Sequence, residues 1–270
     1  KDGVIADFEI AEGMLKALIR RVSPARSLFR PRILIAVPSG ITGVEKRAVE
    51  DSAIHAGAQE VMLIEEPMAA AIGTGLSVNE PRGTMIADMG GGTSEIAVIS
   101  LGGLVVNKSL RVAGDEMDEA IVKYAREVHN LLLGERTAEE IKCSIGNAIE
   151  FKKERDFPDV LRGRDLKTGL PRAVEVKPVE IREALKGPLY KIINGVKDAV
   201  EDTPAELMAD IVKDGITIAG GTSLLRGFDK LMEYELKVPV RAAKDPMTCV
   251  VRGCGILLDD LDLLEKIHIR

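Results

Sequence analysis

A chain of 270 residues has room for one large domain or two ordinary ones, and 46% hydrophobic with 30% charged residues is the balance of a folded globular protein, not a disordered one. The net charge of −6 argues against a nucleic-acid surface, which needs clustered Lys and Arg to neutralise phosphates. Three cysteines without a CxxC pair, three scattered histidines and no run near the roughly 18 apolar residues of a membrane span argue against a disulfide framework, a structural zinc site and a transmembrane helix.

In chain order, Ile33 to Val37 (ILIAV) reads as a buried strand stopped by Pro38-Ser39-Gly40. Thr42 then caps a helix from Val44 to Ala56, with Glu45 placed for a capping box, and Gly57 ends it. Val61 to Ile64 is a second strand, followed by Glu65-Glu66-Pro67 and a small-residue helix, Met68 to Ile72. Strand alternating with helix predicts an α/β fold.

Met85 to Ala87 and Ser94 to Ile99 read as two strands around Gly90-Gly91-Gly92, continued by Leu104 to Val106 and Leu110 to Val112 as a meander. A helix is expected from Gly114-Asp115 to about Leu133, and Thr137-Ala138-Glu139-Glu140 reads as a capping box opening the next. Residues 157–178 are polar, rich in Gly and Pro, with short β character. Val179 to about Glu201 is helical in pattern, with Gly187-Pro188 expected to kink or break it. A short helix (Pro204 to Val212), a strand (Ile216 to Ile218), a glycine turn, a helix (Leu224 to Glu235), a strand (Val238 to Val240) and a helix (Met247 to Leu258) complete the series.

Two segments carry chemistry. Asp88 precedes three bare glycines and Thr93 follows them, so the turn is either a phosphate cradle of exposed amides or a glycine-softened hairpin; the glycines also permit positive φ. Gly220-Gly221-Thr222-Ser223 is a second strand–glycine–Thr/Ser turn, feeding a helix whose N-terminus favours an anion. Two such turns fit a nucleotide held between two α/β halves. Neither is a GxxxxGK[ST] or GxGxxG loop. Glu66, at the carboxyl end of a strand, is placed either to polarise a water or simply to complement a helix dipole. Leu28 and Phe29, between Pro24 and Pro31 and flanked by Arg26, Arg30 and Arg32, either enter an anionic lipid leaflet or tuck into the core.

LIEEPMAAAIG (63–73), DMGGGTSEIAVISLG (88–102), AGDEMDEAI (113–121), GERTAEEIK (134–142), TGLPR (168–172) and AGGTSLLRG (219–227) together resemble the MreB family of bacterial actins, over essentially the whole chain. The resemblance implies an actin-like (ribonuclease H-like) ATPase fold: two α/β halves around a nucleotide cleft. Residues 1–76 would be the remainder of the first half, 77–115 and 187–270 the second half, and 116–186 its peripheral subdomain. It implies ATP or ADP with Mg²⁺, Asp88 holding the metal through water, and Gly91, Gly92 and Thr93 forming a phosphate loop. Glu66 and Thr93 would position the attacking water. Glu139, Glu140, Ile141 and Lys142 would line the adenosine, with Gly220, Gly221, Thr222 and Ser223 closing from the other half.

The resemblance further implies filaments of the chain itself, on the cytoplasmic face of the inner membrane through Leu28 and Phe29, and membrane-bound cell-wall elongation proteins as partners in setting rod shape. Two departures stand out. The family's first phosphate loop, a DLGTA-like segment, has no counterpart here, so weak ATP binding and little turnover are expected of this chain, with a non-catalytic filament scaffold as the alternative. Thr222 stands where the family has a third glycine.

Overall fold

The computed structural model describes residues 8–22, 30–151 and 158–269. Its first element, α1 (Phe8–Val22), is a helix the sequence patterns above did not indicate: Ile10, Met14, Leu18 and Val22 recur every fourth position yet stay exposed. Next come β1 (Arg32–Val37), α2 (Gly43–Ala56) and β2 (Glu60–Glu65), with β1 and β2 parallel and Ile33 beside Val61. Such a pair needs a crossover, and α2 supplies it. Its N-terminus is the expected capping box: the Glu45 N–H donates to the Thr42 hydroxyl, and the Thr42 N–H donates to the Glu45 carboxylate at 2.8 Å. Gly57, at φ 115°, closes it.

α3 (Glu66–Gly73) starts two residues earlier than its apolar run suggested. Glu65, not Glu66, takes the extended geometry, because Pro67 fits the first turn of a helix, where no backbone donor is needed. Strands β3 (Thr84–Met89), β4 (Ser94–Ser100) and β5 (Gly103–Leu110) form the expected antiparallel meander, with β5 one strand ending at Leu110.

Helix α4 (Gly114–His129) ends four residues before the expected Leu133. Asn130 takes a left-handed conformation (φ 51°) and turns Leu131 and Leu132 into a short strand, β6 (Leu131–Leu132). α5 (Glu135–Ile145) begins on Gly134, and the Thr137 N–H donates to the Gly134 carbonyl, so Thr137 lies inside the helix and is not its cap. β7 (Asp159–Asp165) and β8 (Pro171–Val176) extend β6 into a three-stranded antiparallel sheet.

α6 (Pro178–Glu201) runs through Pro188 without a break, so the break, one of the two outcomes expected there, does not occur. An interior proline costs about 3 kcal/mol. The stripe Ile181, Leu185, Leu189, Ile192, Ile193 and Val196 is buried, and each such side chain contributes about 1.5–3 kcal/mol, which outweighs that cost. α7 (Ala205–Asp214) leads to β9 (Ile216–Ala219). A 3₁₀ turn (Gly221–Leu224) follows, then α8 (Phe228–Leu236), β10 (Val240–Ala242), a second 3₁₀ turn (Pro246–Thr248), α9 (Cys249–Asp259) and α10 (Leu261–Ile267).

The central sheet has the order β10-β9-β3-β4-β5, parallel from β10 to β3 and antiparallel beyond. Both faces are covered, and the side chains of β3 and β4 alternate between them. Met85, Ala87, Met89, Ile96 and Val98 join a core with Met117, Ile121, Leu189, Ile193 and Phe228 from the helices. Ile86, Ala97 and Ile99 join a second core with Met68, Ile72, Leu257 and Leu264. In that second core α3 and α9 cross with their backbones touching: a Cβ on Gly73 would lie 1.8 Å from the Cys249 carbonyl oxygen, and one on Gly253 1.8 Å from that of Ala69.

Candidate functional site

The tip of the β3–β4 hairpin is a four-residue turn in which the Gly90 N–H donates to the Thr93 carbonyl at 2.9 Å. It is therefore a hairpin, one of the two readings left open, and its tip also faces a cavity of about 610 Å³. None of Gly90, Gly91 and Gly92 has positive φ. The glycines serve close approach instead. The Gly114 and Asp115 N–H groups, at the start of α4, donate to the Gly90 and Gly91 carbonyls at 3.2 and 2.8 Å, and a Cβ on Gly91 would come within 3.4 Å of the Asp115 carboxylate.

The second turn is built differently. Gly220 is left-handed (φ 78°), and a Cβ there would sit 2.1 Å from the Met89 carbonyl oxygen. No long helix starts here; the chain makes a 3₁₀ turn, Gly221–Leu224, and α8 begins only at Phe228. The Thr222 hydroxyl donates to the Gly90 carbonyl at 2.8 Å and so ties the two glycine turns together. Thr222, where the resemblance implied a glycine, is thus held by a hydrogen bond. The Ser223 hydroxyl turns inward to the Gly220 carbonyl.

The cavity wall includes Asp88, Gly91, Glu139, Lys142, Gly220, Gly221 and Thr222 from the expected set, with Gly90 beside them. Gly92, Thr93, Glu140, Ile141, Ser223 and Glu66 are not on it. Helical spacing explains part of this. Glu139 and Lys142 are three apart on one face of α5; Ile141 turns into the core and Glu140 pairs with Arg136 at the surface. Leu28 and Phe29 lie outside the described residues.

Lys142 is the focus of the wall. Its ammonium donates to the Gly114 carbonyl and to Asp118 Oδ2, both at 2.9 Å, and the pair is largely buried. Two of three ammonium donors are thereby used, leaving one for a ligand. Burial pushes the Asp118 carboxyl above the usual carboxylate range despite Lys142, and its Oδ1 has no hydrogen-bond partner. Asp115, Asp118, Arg226, Met247 and Val250 also line the cavity and were not anticipated. For Asp115 and Asp118 a signal existed: Gly114, Asp115 and Asp118 share the first turns of one amphipathic helix directly after the strand meander. For Met247 and Val250, brought in by the chain's return after β10, nothing local pointed there.

Behind the hairpin lies a group of carboxylates. Asp88 and Glu95 are directly opposite across β3–β4, on the face toward α3. Glu66 stands at the start of α3. Burial, then Glu95 and Asp88, raises Glu66 to about 7. Burial, then Glu95, raises Asp88 to about 6. Among the described residues no group of three or more His, Cys, Asp or Glu is placed to hold a metal ion on its own, so a cation here would need ligands from water or a bound anion besides Asp88.

The MreB/Mbl protein family model matches residues 1–266. The cell shape-determining protein Mbl of Bacillus subtilis (strain 168) is 46% identical over 266 residues, which are 98% of this chain and 79% of that protein. The cell shape-determining protein MreB of Escherichia coli (strain K12) is 49% identical over 265 residues, 97% of this chain and 76% of the relative. Among solved structures, MreB5 of Spiroplasma citri, crystallised with ADP and also with AMPPNP, superposes with a TM-score of 0.91 at 38% identity, covering 97% of this chain and 78% of that one. A MamK double helical filament, at 22% identity and a TM-score of 0.81, covers 96% and 79% and bears on the fold alone. The fold is actin-like, as the sequence implied.

Proposed function

Because the chain belongs to the MreB/Mbl family of cell shape-determining proteins, we propose that its cavity binds ATP or ADP with Mg²⁺ and that the chain assembles with copies of itself into filaments serving cell shape. The observation that carries the nucleotide reading is the meeting of the two glycine turns, joined through Thr222 and Gly90, at a cavity walled by Lys142, Asp118 and Glu139. That MreB5 of Spiroplasma citri was solved with ADP and AMPPNP supports the same ligand class.

In this reading the side-chain-free turns at Gly90–Gly91 and at Gly220–Gly221 face the phosphates, while Glu139 and Lys142 face the adenosine. Asp88, buried on the cavity wall beside other carboxylates, fits a magnesium ion held through water, and that ion would offset charge on the phosphate oxygens. Glu66, raised to about 7, is poised near neutrality to take a proton from a water that Thr93 helps to orient. Attachment to the inner membrane, through Leu28 and Phe29 and their flanking arginines, rests on sequence, as do a cytoplasmic location and cell-wall elongation proteins as partners. Among the described residues no helix is long and apolar enough to cross a membrane.

Calorimetric titration of the chain with ATP and ADP in Mg²⁺, beside Lys142→Met, tests the site. Saturable binding that weakens about tenfold or more in the variant is expected, because a charged hydrogen bond contributes about 1.5–3 kcal/mol. Absence of binding to the unaltered chain would sink the nucleotide reading. Sedimentation with and without ATP and anionic liposomes tests assembly: nucleotide-dependent pelleting supports the filament ATPase, and nucleotide-independent pelleting the scaffold.

A further inference from the structure

Glu95 is 1% exposed, on the inner face of β4. Its face neighbours Ile86, Ala97 and Ile99 are apolar, and a carboxylate directly across a strand pair from Asp88 is electrostatically unfavourable. Packing alone would place an aliphatic side chain there. The carboxylate is instead fully engaged. Oε2 accepts from the Ser39 N–H at 3.1 Å and from the Ser39 hydroxyl at 2.6 Å, and Oε1 accepts from the Ser109 hydroxyl at 2.6 Å.

Ser39 lies 56 residues earlier, in the turn between β1 and α2, and belongs to no strand of the central sheet. Ser109 is the cross-strand partner of Glu95 on β5. One side chain thus joins the turn of the first β–α–β unit to the central sheet, immediately behind the hairpin whose tip faces the cavity. Since strand β4 runs directly out of that tip, a shift of the turn at Gly90–Thr93 moves Glu95, and Ser39 must follow or lose a buried partner.

We propose that Glu95 is a positioning residue that couples the hairpin tip to the Ser39 turn, so that a nucleotide seated on the tip sets the position of the β1–α2 connection. This rests on the nucleotide reading of the cavity. A simple structural strut would hold Ser39 equally in either ligand state; a coupling residue makes the hold depend on the ligand.

Hydrogen–deuterium exchange of residues 38–43, with and without ATP and Mg²⁺, separates these, using the full chain beside Glu95→Gln, Ser39→Ala and Ser109→Ala. Without nucleotide, exchange in 38–43 speeds up about tenfold in Glu95→Gln and less in Ser39→Ala. With nucleotide, the unaltered chain exchanges more slowly there, whereas Glu95→Gln and Ser39→Ala lose that slowing while their ATP affinity stays within about threefold. Unchanged exchange in the nucleotide-free variants, or equal slowing by ATP in all chains, overturns the proposal. If Glu95→Gln fails to fold, Ser39→Ala and Ser109→Ala each delete one hydroxyl and decide the same question. If the unaltered chain binds no nucleotide, the proposed function and the coupling fall together, and the nucleotide-free exchange still decides whether Glu95 holds Ser39.

Discussion

The two glycine turns share a sequence signature and differ in almost every physical respect. At Gly90–Thr93 the backbone is ordinary, no glycine has positive φ, and bareness lets the start of α4 seat against the tip. At Gly220 the backbone is left-handed and jammed against Met89, so glycine is required twice over, for conformation and for space, while its neighbour Gly221 has nothing within 4 Å of a Cβ. The first turn is backed by the carboxylates of Asp88, Glu95 and Glu66; around the second, the contacts are hydroxyl to carbonyl. A repeated motif therefore marks two places where a ligand can approach, without implying that the glycines do the same work.

The sharpest way to break this comparison is alanine substitution at the second turn. Gly220→Ala should lower unfolding free energy by about 3 kcal/mol or more, from strain and overlap, whereas Gly221→Ala should stay within about 0.5 kcal/mol; urea denaturation of both checks it, and equal effects would remove the distinction. Next in size is a pH effect from the carboxylates behind the first turn. Glu66 lies near 7 when folded against an ordinary value of 4.5, so its contribution to stability is complete below about 4.5 and is lost as pH rises through about 7. Without divalent cation, the unaltered chain should therefore lose on the order of 2 kcal/mol relative to Glu66→Gln between pH 5 and 8, and parallel melting curves would disprove it. Smallest is the link between the turns: Thr222→Val should cost about 1 kcal/mol in the same denaturation assay, and no loss would mean that the hydroxyl contributes nothing to the link.

The regular elements were legible because they rest on local signals: the capping box at Thr42 and Glu45, the apolar strands, and the alternation of Met85 to Met89 between two cores. The local reading fell short where a distant contact overrode a local rule. Pro188 did not break α6, because the buried stripe around it outweighs one lost hydrogen bond. Asn130 ended α4 early and gave Leu131 and Leu132 to a strand paired with Asp165 and Arg164. At the cavity, the chain's own motifs and its family resemblance named Asp88, Gly91, Lys142 and Gly220. Met247 and Val250 needed the closing of the whole fold. The partnership of Glu95 with Ser39 was invisible for the same reason: neither residue has a local pattern that points across 56 positions.

The crossing of α3 and α9 through Gly73 and Gly253 has a bearing on how this molecule can deform. At these two points carbonyl oxygens stand where side chains would otherwise stand, so the helices meet backbone to backbone there. The Gly73 contact lies at the end of α3 opposite Glu66, which stands at its first residue. Any side chain larger than hydrogen at Gly73 or Gly253 would have to push the two backbones apart, and the whole of the second core would have to open with them.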